Sequence, residues 1–359
     1  MKIAIVLPER LSYGGGAEAW VQRVSANLEE AGNSVTVLVP GKATRDDARS
    51  PAESDYYSRS YTLLNKLGLP GFFPPFIPYR REWDEFDLIY VTSIHPFRLF
   101  LRSRTRVILG AHDMFLSDRK VGIDSFQGFS RTLLNLSRPN VSIHTLCNPQ
   151  SLRLSGTKKR VREIPNPIPR EDVDPVVSSQ FLVLCLGRVS KRKGGDVLMK
   201  LLGEFGTRPH LSLVVAGDVD PEFAAAIGRQ TIPANVTFLG RVSEKKKYEL
   251  LSRSCVLLHT SHRDSMPFVI LEALSVGLPV VSSWPWTSSV YASEGITTAS
   301  KDPKEMMSRI EDVYNVWAKS PADFLNRRLE VRRSALGRFS AVGILPRVRD
   351  LFTPATADL

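Results

Sequence analysis

The apolar positions of this chain fall into short unbroken runs separated by segments of helical length. In the first half the runs cover residues 3–7, 35–39, 88–91, 107–109 and 141–143, and valine, isoleucine and leucine dominate them. Unbroken rather than alternating apolar character predicts strands buried on both faces, as in a parallel sheet covered by helices. Between the first two runs, Ala17, Trp20, Val21, Val24 and Leu28 recur at helical spacing over residues 17–30, and Gly32 stops the helix. A strand, a glycine loop, a helix and a second strand open a doubly wound fold.

The pattern breaks at Pro165-Asn166-Pro167-Ile168-Pro169, where three prolines in five residues fit neither a helix interior nor a central strand. A second alternation follows, with strands expected over residues 181–186, 211–216, 236–239, 256–259 and 280–282 and helices over 196–205, 221–230, 244–252 and 267–275. Residues 321–352 read as helical and rich in arginine. The expected class is therefore α/β, two Rossmann-like domains facing across a cleft. The first covers 1–165, a linker 166–175, the second 176–335, and a C-terminal helix and tail 336–359. In such sheets ligands bind beyond the carboxyl ends of the strands, so informative residues should follow strands.

Composition excludes disorder and a disulfide scaffold: 43% of the 359 residues are hydrophobic and 24% charged. Charge adds more. The formal net charge is +11, and residues 1–170 carry 24 basic against 16 acidic side chains, so an anionic partner is sought first on that half. No stretch approaches the roughly 20 apolar residues that cross a bilayer. The run at 3–7 is too short for a secretory signal, which predicts a cytoplasmic protein. Cys147, Cys185 and Cys255 are widely separated and read as reduced core thiols. With no CxxC or HxxxH pair, no zinc site is expected.

Three segments carry candidate chemistry. Gly14-Gly15-Gly16-Ala17-Glu18 follows the first run. Its glycines either turn the chain or bring backbone N–H groups to a phosphate at a helix N-terminus. Their spacing matches neither GxGxxG nor a P-loop, which disfavours a nicotinamide dehydrogenase. The second segment is Gly187-Arg188-Val189-Ser190-Lys191-Arg192-Lys193-Gly194-Gly195-Asp196. Arg188 offers a planar fork and Lys193 a point charge to an anion with several oxygens, while Lys191 and Arg192 read as solvated. The third begins His262-Arg263-Asp264-Ser265-Met266-Pro267-Phe268 and continues through Glu272 to Gly277-Leu278-Pro279. Pro267 is expected at the first helical position. The Ser265 and Met266 N–H groups are then exposed at a helix start, and Asp264 either caps that helix or binds a ligand. Glu272 lies more than a turn into an apolar helix, where an unpaired carboxylate is expensive. Asp218-Val219-Asp220 reads as turn chemistry rather than a metal site.

Together these segments resemble the family 4 glycosyltransferases, retaining enzymes of the GT-B fold. The likeness runs through Gly15-Gly16-Ala17-Glu18, His112-Asp113, Ile164-Pro165-Asn166-Pro167, Gly187-Arg188 with Lys193-Gly194-Gly195, Ala216-Gly217-Asp218 and Phe238-Leu239-Gly240. It is strongest over residues 267–281, the region of the family's E-x7-E motif. The resemblance implies a retaining hexosyltransferase that needs no metal or cofactor and uses a UDP- or GDP-linked sugar as co-substrate. It implies that Arg188 and Lys193 hold the donor diphosphate, that Glu272 binds the ribose, and that Asp264 with Ser265, Met266, Pro267 and Phe268 engages the sugar. Gly15 and Gly16 would approach the diphosphate, and His112 would contact the sugar near the reacting carbon; His95 is a weaker candidate of the same kind. The chain departs from the family at Asp264, one methylene shorter than the usual glutamate.

For the acceptor, the aromatic and proline-rich stretch 69–83 and the interleaving of Phe97, Leu99, Phe100 and Leu101 with Arg98, Arg102, Arg104 and Arg106 suggest a surface for an anionic membrane. A lipid-linked or cell-surface glycan precursor, met on the inner face of the membrane, is the expected acceptor. The competing reading packs those aromatics under a loop. Rival functions are a nucleotide-sugar epimerase on the same fold, a phosphorylase, for which the chain is short, and a basic nucleic-acid-binding protein, for which no recognised module is present.

Overall fold

The computed structural model describes residues 1–8, 11, 15–39, 52–55, 81–101, 103–112, 116–117, 134–135, 137–154, 156–176, 178–291 and 295–353. Gly14, Asp113, Arg102 and residues 69–80 lie outside them. The chain divides into two compact units, the first made of Met1–Phe115, Val121–Asn166 and Val342–Leu359, the second of Leu116–Lys120 and Pro167–Ala341.

The strands, in chain order, begin β1 (Lys2–Val6), β2 (Ser34–Val39), β3 (Ala52–Asp55), β4 (Leu88–Val91) and β5 (Arg106–Gly110). Next come β6 (Leu116–Ser117), which belongs to the second unit, then β7 (Val141–Thr145) and β8 (Val161–Glu163). The first unit is one sheet of order β3-β2-β1-β4-β5-β7-β8, parallel throughout. Helix α1 (Gly16–Glu30) follows β1, buries Trp20, Val21, Val24 and Leu28, and ends before Gly32 at φ +81°. The short edge strands β3 and β8 were not legible as apolar runs.

The basic aromatic segment departs from expectation. Phe97, Leu99 and Phe100 are buried in the core with Trp83, Ile89 and Leu109, so they offer no apolar face to a membrane. Part of the positive charge of this unit also has an internal task. The chain end forms a helix over Ala341–Phe352 whose last carbonyls are left without intrahelical donors. Arg106 donates to the carbonyls of Leu351 and Thr353, and Arg162 to that of Asp350.

The second unit repeats the plan with β9 (Leu182–Leu186), β10 (Ser212–Ala216), β11 (Val236–Gly240), β12 (Val256–His259), β13 (Arg263–Asp264), β14 (Val280–Ser282) and β15 (Ile296–Thr298). Its sheet order is β11-β10-β9-β12-β14-β15, again all parallel, while β13 pairs antiparallel with β6. Both large sheets therefore reverse strand order once, between β1 and β4 and between β9 and β12, the places where doubly wound sheets bind ligands. Residues 321–352 are helical, in two helices, Pro321–Phe339 and Ala341–Phe352. Ser340 is extended at ψ +139°, and Glu171 accepts from the Ala341 N–H at 2.7 Å, so the second helix starts on a carboxylate cap.

The three cysteines are buried free thiols. Burial pushes Cys147 and Cys185 up to about 12, which leaves them unreactive.

Candidate functional site

In the second unit the chemistry collects at the β9/β12 reversal. The loop after β9 ends in Gly194, and helix α2 (Gly195–Gly206) starts immediately after it. The loop after β12 runs through Thr260 to Pro267, before helix α3 (Phe268–Ser275). The two loops are joined through backbone groups. Thr260 Oγ1 donates to the Lys193 carbonyl at 2.9 Å, and the His262 N–H donates to the Arg192 carbonyl at 3.1 Å. Gly194 makes this approach possible: its φ is +75°, and a Cβ there would lie 1.7 Å from the Thr260 oxygen. His262 also pairs with Asp196 at 2.6 Å, in the first turn of α2.

This junction brings Lys193 and Asp264 together. Lys193 Nζ lies 2.6 Å from Asp264 Oδ1, and the carboxylate side chain is only 6% exposed. His259 Nε2 faces the other oxygen at 3.4 Å without hydrogen-bond alignment, and neither of those buried atoms has a hydrogen-bond partner among the described residues. Burial pushes the Asp264 carboxyl up, but Lys193 and His259 outweigh it and hold the group well below its usual 3.8. Asp264 does not cap α3: it sits in β13, and the cap position belongs to Pro267. This also corrects the expectation of Pro267 as the first helical residue. Its ψ of +130° is extended, so the helix starts at Phe268. Ser265 and Met266 are buried, and Tyr291 donates to the Pro267 carbonyl at 2.7 Å.

Glu272 is buried on α3, and its partner is Lys247, 2.7 Å away on the helix Glu244–Arg253. Burial pushes the Glu272 carboxyl up and Lys247 offsets this only in part, so the group stays above its ordinary value. The end of α3 is fixed by Arg328. It is 2% exposed and donates to the carbonyls of Val276, Leu251, Ser252, Ser254 and Val176. Arg188 is exposed. Asp218 takes a salt bridge from Arg241 at 2.7 Å, and that bond, with a smaller contribution from the Arg188 charge, holds its carboxyl below the usual range. Asp218 lies in the short segment between β10 and the helix Pro221–Gly228.

In the first unit Gly15 is the N-cap of α1 and Gly16 its first residue, which aims backbone N–H groups past β1. His112 follows β5, tilted against Trp20 of α1 at 4.5 Å between ring centroids. Its Nε2 meets Tyr90 Oη at 2.9 Å, and the same hydroxyl meets His144 Nδ1 at 2.6 Å. Burial, and secondly His144, pushes the His112 imidazole well below its usual 6.5. Burial likewise lowers His144 to about 4 and raises Tyr90. His95 lies in a single helical turn, Ile94–Phe97.

Two family models match adjacent parts of the chain: "Glycosyltransferase Family 4" over residues 14–172 and "Glycosyl transferases group 1" over residues 171–326. The chain belongs to the family 4 glycosyltransferases. The fold agrees. Sucrose-phosphate synthase from Thermosynechococcus elongatus superposes with a TM-score of 0.74 at 15% identity, covering 98% of each chain. Anabaena HepE, solved in complex with UDP and glucose, superposes with a TM-score of 0.70 at 18% identity, covering 98% of this chain and 99% of that one. The architecture is thus GT-B. Among curated relatives, the phosphatidylinositol N-acetylglucosaminyltransferase gpi3 subunit of Schizosaccharomyces pombe is 26% identical over 297 residues, 75% of this chain. This chain spans 63% of that relative's length.

Within this family 4 fold, four participants escaped the reading of the sequence. Lys247 lies in the run Glu244-Lys245-Lys246-Lys247, which reads as a solvated charged face. His259 ends an apolar strand, and Tyr90 and His144 sit inside strands. Only the parallel register, which places Gly110 opposite His144 and Ile108 opposite Tyr90, brings the last two to His112.

Proposed function

We propose that this chain is a retaining glycosyltransferase that moves a hexose from a nucleotide-diphosphate sugar, UDP- or GDP-linked, to a hydroxyl of a lipid-linked glycan precursor. The observation that carries the donor assignment is the Lys193–Asp264 pair at the β9/β12 reversal, with Glu272 on the helix that follows. Lys193 and Arg188 neutralise the diphosphate as the glycosidic bond breaks. Glu272 accepts from the ribose hydroxyls, and Asp264 with the backbone of residues 265–268 accepts from and donates to the sugar. Gly15 and Gly16 offer N–H groups to the diphosphate, and His112 meets the sugar.

In the step proposed, the bond from the anomeric carbon to the phosphate oxygen breaks and the acceptor oxygen bonds to the same face of that carbon. The acceptor proton passes to the leaving phosphate. No metal and no further cofactor enters. HepE was solved with UDP, and the S. pombe relative is named for a phosphatidylinositol acceptor; both support the reading. The membrane part of the proposal now rests on the net charge of the first half and on the relative's name, since Phe97, Leu99 and Phe100 are buried.

Incubating the purified chain with UDP- and GDP-hexoses, with and without a phosphatidylinositol or diacylglycerol lipid acceptor, tests this. Acceptor-dependent release of nucleoside diphosphate and an α-anomeric product from an α-linked donor are expected. Conversion of the sugar without acceptor would show an epimerase instead.

A further inference from the structure

We propose that Tyr90 and His144 are positioning residues that hold His112 in a single tautomer, with its proton on Nε2 and an acceptor at Nδ1. The tautomer follows from hydrogen bonds within the first unit; only the ligand it meets rests on the transferase reading. The chain of bonds starts at Ile164, whose carbonyl accepts and cannot donate. His144 Nε2 lies 2.8 Å from that oxygen and therefore carries the proton. A neutral His144 then has a bare Nδ1, which accepts from Tyr90 Oη at 2.6 Å. The phenol has one proton and has now used it. Its 2.9 Å contact with His112 Nε2 is therefore donated by His112.

Packing holds the junction. Trp20 from α1, Tyr90 from β4 and His144 from β7 pack on the His112 ring, and Phe352 stacks against Tyr90 at 5.4 Å. Of these, Tyr90 and His144 are the titratable groups, and both are buried neutral. Gly110 leaves the space: a Cβ there would lie 2.2 Å from Tyr90 Oη and 2.9 Å from His112 Cδ2.

The chemical consequence concerns what His112 can recognise. A neutral ring that accepts at Nδ1 takes a hydroxyl or an N–H and gives nothing to an unprotonated phosphate oxygen. It also places no cation beside an anomeric carbon that gains positive charge as the leaving group departs. His112 is thereby suited to a sugar hydroxyl and not to the diphosphate.

Histidine-selective nitrogen-15 labelling of the full chain, which has six histidines, tests this by long-range proton–nitrogen spectra. The wild type should show His112 and His144 as neutral Nε2–H rings near neutral pH. A protonated or Nδ1–H His112 near neutral pH would overturn the proposal. In His144→Phe the Tyr90 proton is released to donate to His112 Nε2, so the His112 tautomer should invert to Nδ1–H; an unchanged tautomer contradicts the relay. In Tyr90→Phe, kcat should fall about tenfold with the donor KM changed by less than about twofold, the effect of one ordinary hydrogen bond felt after binding. An unchanged kcat contradicts the positioning role. A wild type that shows the expected tautomer but transfers no sugar refutes the transferase reading alone.

Discussion

Replacing Lys193 with alanine is expected to lower sugar transfer by about 100-fold or more, the usual loss when one cationic or hydrogen-bonding stabiliser of a leaving group is removed. The same change should destabilise the second unit by about 2–3 kcal/mol, because it leaves a buried carboxylate without its cation. Lys193 is 29% exposed, which keeps this below the cost of breaking a fully buried pair. The stability loss has a pH signature. The folded Asp264 titrates below its usual 3.8, so its contribution is fully present above about pH 4 and is lost as pH falls further. In the variant, burial, which raises the carboxyl, is opposed by His259 without Lys193. The stability gap between wild type and variant should therefore be largest near neutral pH and shrink in acid. Urea unfolding at several pH values reads this directly, and a gap that widens on acidification would contradict it. Lys193→Arg, which keeps the charge, should recover most of the stability.

Gly194→Ala should be the most damaging single methyl group in the second unit. The residue is left-handed at φ +75°, which costs an L-residue about 1–2 kcal/mol. Its new Cβ would stand 1.7 Å from the Thr260 carbonyl oxygen, so the two loops must separate, an overpacking cost of about 1–3 kcal/mol. Separation moves Lys193 away from Asp264, and a displacement of about 1 Å in a charged site costs about 100-fold in rate. Thermal unfolding and turnover should therefore fall together. Gly203→Ala supplies the control. It sits in the same helix, α2, with ordinary φ and nothing within 4 Å of a new Cβ. It should stabilise the protein by about 0.5–1 kcal/mol with turnover unchanged.

Structure is legible in the sequence where one residue's neighbours in the chain decide its environment. Unbroken β-branched runs became the central strands, because a strand covered on both faces has no polar side to alternate. The pair Gly194-Gly195 is legible as a helix start because adjacent glycines after a strand have few other structural uses, and the helix begins there. Where tertiary packing decides, the signal fails. Phe97, Leu99 and Phe100 alternate with arginines as a surface segment does, yet they point into the core. Lys247 looks like one charge among several in a solvated run, and only the approach of its helix to Glu272 gives it a buried partner. Tyr90 and His144 lie 54 residues apart and meet because their strands flank β5. No periodicity in a single sequence encodes that meeting. In the sequence the arginines of the first half look like one surface charge, yet Arg106 and Arg162 donate to carbonyls of the C-terminal helix.

Donor recognition in the second unit is the central claim, and calorimetric titration of UDP, GDP and inorganic pyrophosphate into wild type and Glu272→Ala tests it most directly. One of the two nucleotides should bind the wild type, and Glu272→Ala should weaken that binding about tenfold or more, as loss of charge-assisted hydrogen bonds to ribose requires. Pyrophosphate, which has no ribose, should bind both proteins equally through Arg188 and Lys193. Equal nucleotide affinity in the two proteins, or loss of pyrophosphate binding along with the nucleotide, would contradict the assignment.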